Sequence, residues 1–290
     1  MASEQQDRLI IRGTVMKDLL HGIRIVNLAL NLPGPVAAQR LHRMGATVIK
    51  VEPPGGDPME RYQPQWYRDM LTGHQVLTLD LKSPSDRKVL EELLSTADLL
   101  ITASRPAALS RLGLDWESLH HDFPRLCQVA ITGYPVPREN EAGHDLTYQA
   151  SLGLINPPYM PRTLLADMAG AEQTVAAALA LLLARERGQV AGHAEVTLAE
   201  AAEALAEPLR YGVTAPESIL GGAIPEYNIY RTSDGWLAVA ALEPHFKQRL
   251  ESLLQISTKE EYTVTFATRS CTHWQEWGEK MDVPLETIRI

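Results

Sequence analysis

The sequence predicts an α/β protein: a large, doubly wound domain around a mostly parallel sheet, followed by a smaller α+β domain. Strand-like apolar segments alternate with helix-like segments along the first 200 residues. The first strand, helix and strand fit within about 30 residues, the length of a right-handed βαβ unit. Near residue 223 this alternation gives way to a hairpin signal. We therefore expect a large domain (1–200), a linker helix or segment (201–222) and a small domain (223–290), whose last residues could return to the large domain.

The strands of the large domain are predicted from apolar, β-branched segments that turn signals interrupt. They cover residues 22–28, 47–52, 76–81, 99–102, 126–132 and 193–198. Helices are predicted between them, at residues 36–44, 85–95, 107–112 and 199–211. Before the first strand, residues 1–20 are mostly polar and predict an arm or a first amphipathic turn.

The loops that follow the strands are the predicted ligand-binding edge. In doubly wound sheets, ligands bind beyond the carboxyl ends of the strands. The candidate rim loops are residues 33–35, 53–56, 104–106 and 133–134. A G-x-G-x-x-G fingerprint is absent from the sequence, which argues against a nucleotide-dependent dehydrogenase.

The small domain is predicted to begin with a hairpin. Residues 227–231 and 236–242 read as two strands, and Asp234-Gly235 between them is a typical hairpin turn. A helix over residues 245–254 is predicted to follow, and then a helical end.

One long apolar segment predicts a buried central helix preceded by an aspartate. Residues 175–184 contain only Val, Ala and Leu, which indicates a helix of three to four turns. Asp167 is expected at or just before its N-terminus. There it could be a plain N-cap, or a base or nucleophile held where free backbone N–H groups converge. This segment alone leaves both interpretations open.

Composition excludes several classes of partner. The chain has 290 residues, 27 basic and 36 acidic side chains, and a net charge of −9. Such a charge argues against nucleic acid and anionic membranes, and the longest apolar run is too short to span a bilayer. Cys127 and Cys271 form no disulfide framework, and the N-terminus has no signal-peptide core. We expect a cytoplasmic protein with no membrane or nucleic-acid partner and no metal site.

Several short motifs, in order along the chain, resemble the class III CoA-transferase (CaiB/BaiF) family. Those of the first half are Pro33-Gly34-Pro35, residues 45–53, residues 77–82, and Arg105-Pro106 before Leu112-Gly113-Leu114. Three further motifs are similar to the α-methylacyl-CoA racemase branch: Gly143-His144-Asp145, residues 164–167 and Leu242-Glu243-Pro244. The resemblance extends from residue 22 to about residue 283.

This resemblance implies a function and a set of site residues. Members of the family have a Rossmann-like, CoA-binding large domain and form homodimers of interlocked, ring-like subunits. They act on a CoA thioester and need no cofactor beyond the CoA of the substrate. In the transferases, the residue matching Asp167 is a nucleophile that forms covalent intermediates. In the racemases, the residues matching Asp167 and His144 transfer protons, and the one matching Glu243 orients the histidine.

The sequence departs from the family in the parts that usually hold CoA. Thr72-Gly73-His74-Gln75 replaces a basic cluster, and Ala171-Glu172 stands where a second glycine is usual after Asp167. We therefore expect CoA binding that is weaker than is usual in the family but detectable. The remaining candidates for contacts with CoA are Arg40, Lys50, Arg105, Arg111, Gly133 and Tyr134.

Three functions remain open at this stage. The first is an acyl-CoA racemase or epimerase that acts at the α-carbon of a 2-substituted acyl-CoA by 1,1-proton transfer. The second is CoA transfer between carboxylic acids through an aspartyl intermediate. The third is a non-catalytic or diverged member that serves as a partner subunit; the missing basic cluster favours it, and the joint presence of His144, Asp167 and Glu243 argues against it.

Overall fold

The computed structural model describes residues 18–289, so the predicted N-terminal arm lies almost entirely outside the described residues. The chain divides into two compact units. The first ends at Leu205 and the second begins at Ala206, so the predicted linker of residues 201–222 extends over both sides of this division.

The first unit is built on six parallel strands in the order β3-β2-β1-β4-β5-β6. This is the doubly wound order, in which the direction of winding reverses between β1 and β4. The predicted sheet is confirmed, although β3 ends at Thr78 rather than at residue 81. The strands are β1 (Arg24–Asn27), β2 (Thr47–Glu52), β3 (Gln75–Thr78), β4 (Leu99–Thr102), β5 (Cys127–Thr132) and β6 (His193–Thr197).

Helices connect these strands, and several of them were not predicted. The first begins at Pro33, earlier than predicted, because proline suits the first turn of a helix, where its missing N–H has no partner to lose. The helices are α1 (Pro33–Arg43), α2 (Met59–Tyr62), α3 (Pro64–Met70), α4 (Pro84–Leu94), α5 (Pro106–Arg111), α6 (Trp116–Asp122), α7 (Asp145–Ser151), α8 (Leu165–Glu186) and α9 (Leu198–Leu205).

The central helix α8 is longer than predicted. It has 22 residues, and Asp167 is the third of them rather than a residue at or before the N-terminus. By length and mean hydropathy (1.2 in its most apolar window), α8 could cross a membrane, but the core helix of a globular unit passes the same test. Its buried side is part of the first unit and comprises Ala166, Gly170, Ala171, Thr174, Val175, Ala178 and Leu182.

Alternation along the strands supplies both cores of the first unit. Ile25 packs in a cluster with residues of α1 and α8, whereas the next residue, Val26, packs in a second cluster with residues of α4. Successive side chains of a strand point to opposite faces, so one sheet is covered on both sides.

The second unit contains an antiparallel sheet in the order β7-β8-β9 and its own aromatic core of Tyr230, Tyr262, Phe266 and Trp274. The hairpin prediction is confirmed. The last strand, β9, pairs with β8 of the same sheet. The elements are α10 (Glu207–Arg210), β7 (Tyr227–Arg231), β8 (Trp236–Ala240), α11 (Pro244–Leu254), α12 (Lys259–Phe266), α13 (Cys271–Met281) and β9 (Leu285–Thr287).

Candidate functional site

The site is organised by one buried carboxylate at the start of α7, Asp145, which is only 5% exposed. Its Oδ1 accepts hydrogen bonds from the backbone N–H groups of Ala166 (2.7 Å) and Asp167 (3.0 Å), the first turn of α8. Asp145 thus satisfies two donors that a helix N-terminus leaves without a partner. Asp167 is therefore not the cap of α8, and these two N–H groups are not free beside it, which corrects part of both earlier interpretations.

The second oxygen of Asp145 is also bound. Gln149, one turn further along α7, donates from Nε2 to Oδ2 of Asp145 at 2.5 Å and to the carbonyl of Thr163 at 3.1 Å. Side chains of α7 therefore bind both the first turn of α8 and Thr163, the residue that precedes the N-cap of α8. Neither Gln149 nor Asp145 was predicted as a site residue. The signal that could have found them is their spacing of four residues, which places two side chains on the same face of a helix.

The carboxyl group of Asp167 lies in a mostly buried place. Burial and, after it, the negative charge of Asp145 together raise its pKa to about 6. An isolated aspartate would be fully ionised at neutral pH. Asp167 can instead exist in both protonation states near neutrality, which is what a group that accepts and returns a proton requires.

Tyr148 fills the space beside this carboxyl group. It is 1% exposed, and burial raises its pKa to about 12, with further contributions from Tyr134, Asp167 and Asp145. Its ring meets the ring of Tyr134 edge to face, with centroids 5.1 Å apart. A side chain at Gly133 would bring a Cβ within 2.4 Å of the Tyr148 hydroxyl. The predicted loop residues Gly133 and Tyr134 are thus placed against α7.

His144 lies at the same junction of two helices. It immediately precedes Asp145, its backbone N–H donates to Thr147 Oγ1 at 3.1 Å, and its carbonyl accepts from the N–H of Thr147 at 2.8 Å. These bonds hold its backbone at the start of α7, while the residue itself is exposed. His144 thus stands next in the chain to Asp145, whose carboxylate accepts the backbone N–H of Asp167.

Arg40 lies at a cavity of about 310 Å³ beside the first turns of α8. Leu165, Met168 and Ala201 supply apolar walls, and Glu172 supplies a charged one. Arg40 forms an ion pair with Glu172. The arginine that was predicted to contact CoA is therefore already neutralised by the acidic residue that replaces the usual glycine.

Lys50 does not fit its predicted role. It is fully buried in β2, and its ammonium donates to Asp57 Oδ2 at 2.7 Å and to the carbonyl of Ala29 at 2.6 Å. Burial lowers its pKa, whereas the bond with Asp57 raises it. Because its donors bind these internal acceptors, Lys50 is a structural cation and not a contact for a phosphate of CoA.

The remaining predicted contacts stay predictions. Arg105 immediately precedes α5 and Arg111 is its last residue; both are exposed. Glu243 belongs to the second unit, where it is exposed and immediately precedes α11. Its role in orienting His144 remains a prediction from the resemblance.

The segment that replaces the family's basic cluster carries no cation at neutral pH. The ring of His74 meets that of His42 edge to face at 5.1 Å. Burial and, after it, the neighbouring His42 and Lys50 together lower the pKa of His74 to about 4. His74 is therefore neutral where a phosphate-binding segment would need positive charge.

Comparison with known proteins identifies the family of the chain. Residues 20–287 match the profile described as CoA-transferase family III. The human α-methylacyl-CoA racemase is 31% identical over 83% of this chain and 66% of its own length. The succinate–glutarate CoA-transferase of Agrobacterium fabrum is 30% identical over 83% of this chain and 67% of its own length. The chain thus spans about two thirds of the length of these curated relatives.

Solved structures show the same fold. The crystal structure of a hypothetical protein (Rv3272) from Mycobacterium tuberculosis aligns with a TM-score of 0.83 and 24% identity, covering 94% of this chain and 86% of that one. A CaiB/BaiF family protein from Brucella suis aligns with a TM-score of 0.77 over 94% of this chain and 84% of that one. The chain belongs to CoA-transferase family III.

Proposed function

We propose that this protein is an acyl-CoA racemase or epimerase that inverts the α-carbon of a 2-substituted acyl-CoA thioester by 1,1-proton transfer. The observation that carries the proposal is the carboxyl group of Asp167, whose pKa is raised to about 6 beside the helix junction that also holds His144. A racemase needs two groups that can each take and return a proton near neutral pH. The similarity to the human racemase supports the same assignment.

The reaction follows from these two groups. One base takes the proton from the α-carbon, and the electron pair of the C–H bond moves into the thioester as an enolate. The second group, initially protonated, then delivers its proton to the opposite face of the carbon. An imidazole can accept and donate a proton, and the raised pKa of Asp167 allows both of its forms. Each group can therefore act as the base for the enantiomer on its own face and as the acid that forms that enantiomer. Because Asp145 occupies two N–H groups of α8, donors to the enolate oxygen must come from elsewhere.

The alternative is CoA transfer between two carboxylic acids, which the similarity to the Agrobacterium succinate–glutarate CoA-transferase favours. In that reaction the carboxylate of Asp167 attacks the thioester carbonyl and expels the CoA thiolate, leaving a mixed anhydride. The thiolate then attacks the aspartyl carbonyl and releases the first acid. The acceptor acid attacks the aspartyl thioester, and the returning thiolate completes the transfer and regenerates Asp167.

Deuterium exchange separates these functions. A panel of 2-substituted and unsubstituted acyl-CoA thioesters is incubated with the protein in deuterated water, with and without an acceptor such as succinate, and analysed by mass spectrometry. Exchange at the α-carbon without an acceptor supports the racemase. CoA transfer that appears only with an acceptor supports the alternative. If CoA binds but neither reaction occurs with any substrate, the result supports the non-catalytic partner subunit.

A further inference from the structure

We propose that Asp145 is a positioning residue for the chemistry of Asp167: it ties the backbone of Asp167 to α7 and holds a second negative charge beside its carboxyl group. This inference rests on the proposed function, in which Asp167 accepts and returns protons. Asp145 is not one of the two proton-transfer groups, so its contribution acts entirely through Asp167.

The first argument is geometric. The two bonds from Asp145 Oδ1 reach residues 21 and 22 positions later in the chain. The intervening residues 152–164 contain no helix or strand, so side chains of α7 make the link to the start of α8: Asp145 by hydrogen bonds and Tyr148 by packing in a cluster with Ala166. A single oxygen that accepts two N–H groups of one helical turn restrains that turn both along the helix axis and in its rotation about the axis. Since Asp167 belongs to that turn, its side chain starts from a fixed place.

Two side chains of α7 interact electrostatically with Asp167. They are Asp145 and Tyr148, and the ring of Tyr148 packs edge to face on that of Tyr134. Arg40 on α1 is paired with Glu172, further along α8. After burial, the charge that acts on Asp167 is therefore that of Asp145, which favours the protonated form of Asp167.

If Asp145 were only a helix cap, its oxygen acceptor would contribute to stability and its charge would not matter to Asp167. Asn at position 145 keeps such an oxygen and removes the charge. Asp115 offers a control: it also caps a helix, α6, where it accepts from the N–H and the hydroxyl of Ser118, each at 3.1 Å.

The experiment follows the titration of Asp167 directly. Protein labelled with ¹³C at the aspartate carboxyl is titrated by NMR, and the Asp167 signal is identified by its loss in Asp167→Asn. In Asp145→Asn we expect the midpoint of this titration to fall by about 1 pH unit, because a like charge has been removed. In Asp115→Asn it should stay where it is. If the amide of Asn is not tolerated beside Gln149, Asp145→Ser keeps a hydroxyl acceptor and removes the same charge.

Activity gives the second measurement. In Asp145→Asn, the acid limb of the pH profile of α-proton exchange should shift to lower pH together with the Asp167 midpoint. In Asp115→Asn, the limb should remain at the same pH. An unchanged midpoint in folded Asp145→Asn and Asp145→Ser overturns the inference. A shifted midpoint in a protein that exchanges no α-proton on any substrate upholds the coupling of the two carboxyl groups and overturns the proposed function instead.

Discussion

At the scale of single residues, the raised pKa of Asp167 has a consequence for stability. A carboxyl group whose folded pKa is about 6, against an ordinary value of 3.8, stabilises the fold fully below pH 3.8 and loses that contribution as the pH rises through 6. At pH 7.5 the ionised, partly buried Asp167 therefore costs stability. Asp167→Asn should raise the free energy of unfolding at pH 7.5 by ~2 kcal/mol and change it little at pH 4. Denaturation of both proteins across this range tests the difference, and a gain of equal size at both pH values would contradict it.

The roles of His144 and Asp167 can be separated by the enantiomer that each serves. If they act on opposite faces of one carbon, His144→Ala and Asp167→Asn should each lose racemisation in both directions by at least about a hundredfold, the usual contribution of a proton-transfer group. Each variant should still exchange the α-proton of one enantiomer, because the surviving base works from its own side. Exchange of separate enantiomers in deuterated water measures this.

The same pair of variants also tests the transferase. Loss of all turnover in Asp167→Asn, with little effect of His144→Ala, would indicate covalent CoA transfer instead. A fully active Asp167→Asn protein would contradict both functions. Because His144 is exposed, its replacement should leave the fold intact, which circular dichroism can verify.

Glu172 is expected to weaken CoA binding through Arg40. Their ion pair neutralises an arginine that would otherwise be available to a phosphate. Glu172→Gln should tighten the Kd for CoA about three- to fivefold, and Arg40→Ala should weaken binding. Glu186→Gln is a matched control on α8, since Glu186 pairs with Arg185 at 3.4 Å rather than with Arg40. Calorimetry at low salt measures all three, and equal affinities for Glu172→Gln and Glu186→Gln would exclude Arg40 as a phosphate contact.

At the scale of elements, the packing of α7 depends on two glycines that contact Tyr148. A Cβ at Gly133 would lie 2.4 Å from the Tyr148 hydroxyl but 3.5 Å from the nearest ring carbon. A Cβ at Gly143 would lie 2.5 Å from the hydroxyl and 2.6 Å from a ring carbon. Overpacking of this kind costs about 1–3 kcal/mol.

A double-mutant cycle follows from these distances. Gly133→Ala should lower stability, and Tyr148→Phe in the same chain should restore most of the loss, because the hydroxyl alone causes the clash. Gly143→Ala should lower stability without such rescue, since its clash with the ring remains. Thermal denaturation of the single and double variants decides this. Equal rescue at both glycines would show that Tyr148 moves as a whole rather than staying fixed against α7.

At the scale of the whole molecule, we predict a homodimer that survives dilution. Several exposed apolar side chains follow α10 in the chain, including Tyr211, which is 73% exposed, and Ile219. Exposed apolar surface is typical of interfaces, and the family resemblance implies interlocked subunits. Light scattering at micromolar concentration should give twice the mass of the 32.1 kDa chain. The mass of a single chain would contradict this prediction.

The sequence alone determined the architecture, because local periodicity determines which segments become strands and helices. The apolar segment 47–52 and the Asp-Gly turn at residue 234 each report on their own neighbours, and the structure agrees with both. Buried Lys50 shows the limit of this reasoning. Its strand was correctly predicted, but a basic residue in a strand does not reveal whether it faces a ligand or an internal acid such as Asp57.

Only the tertiary structure decided how the site is assembled. The sequence identified His144 and Asp167 through the resemblance, yet it did not show that Asp145 caps α8 from 21 positions away or that Glu172 neutralises Arg40. A capping oxygen is normally sought within three residues of the helix start, so a cap supplied by another helix leaves no local signal. The pKa of Asp167 depends on burial and on the same distant carboxylate, and both exist only once α7 and α8 have come together.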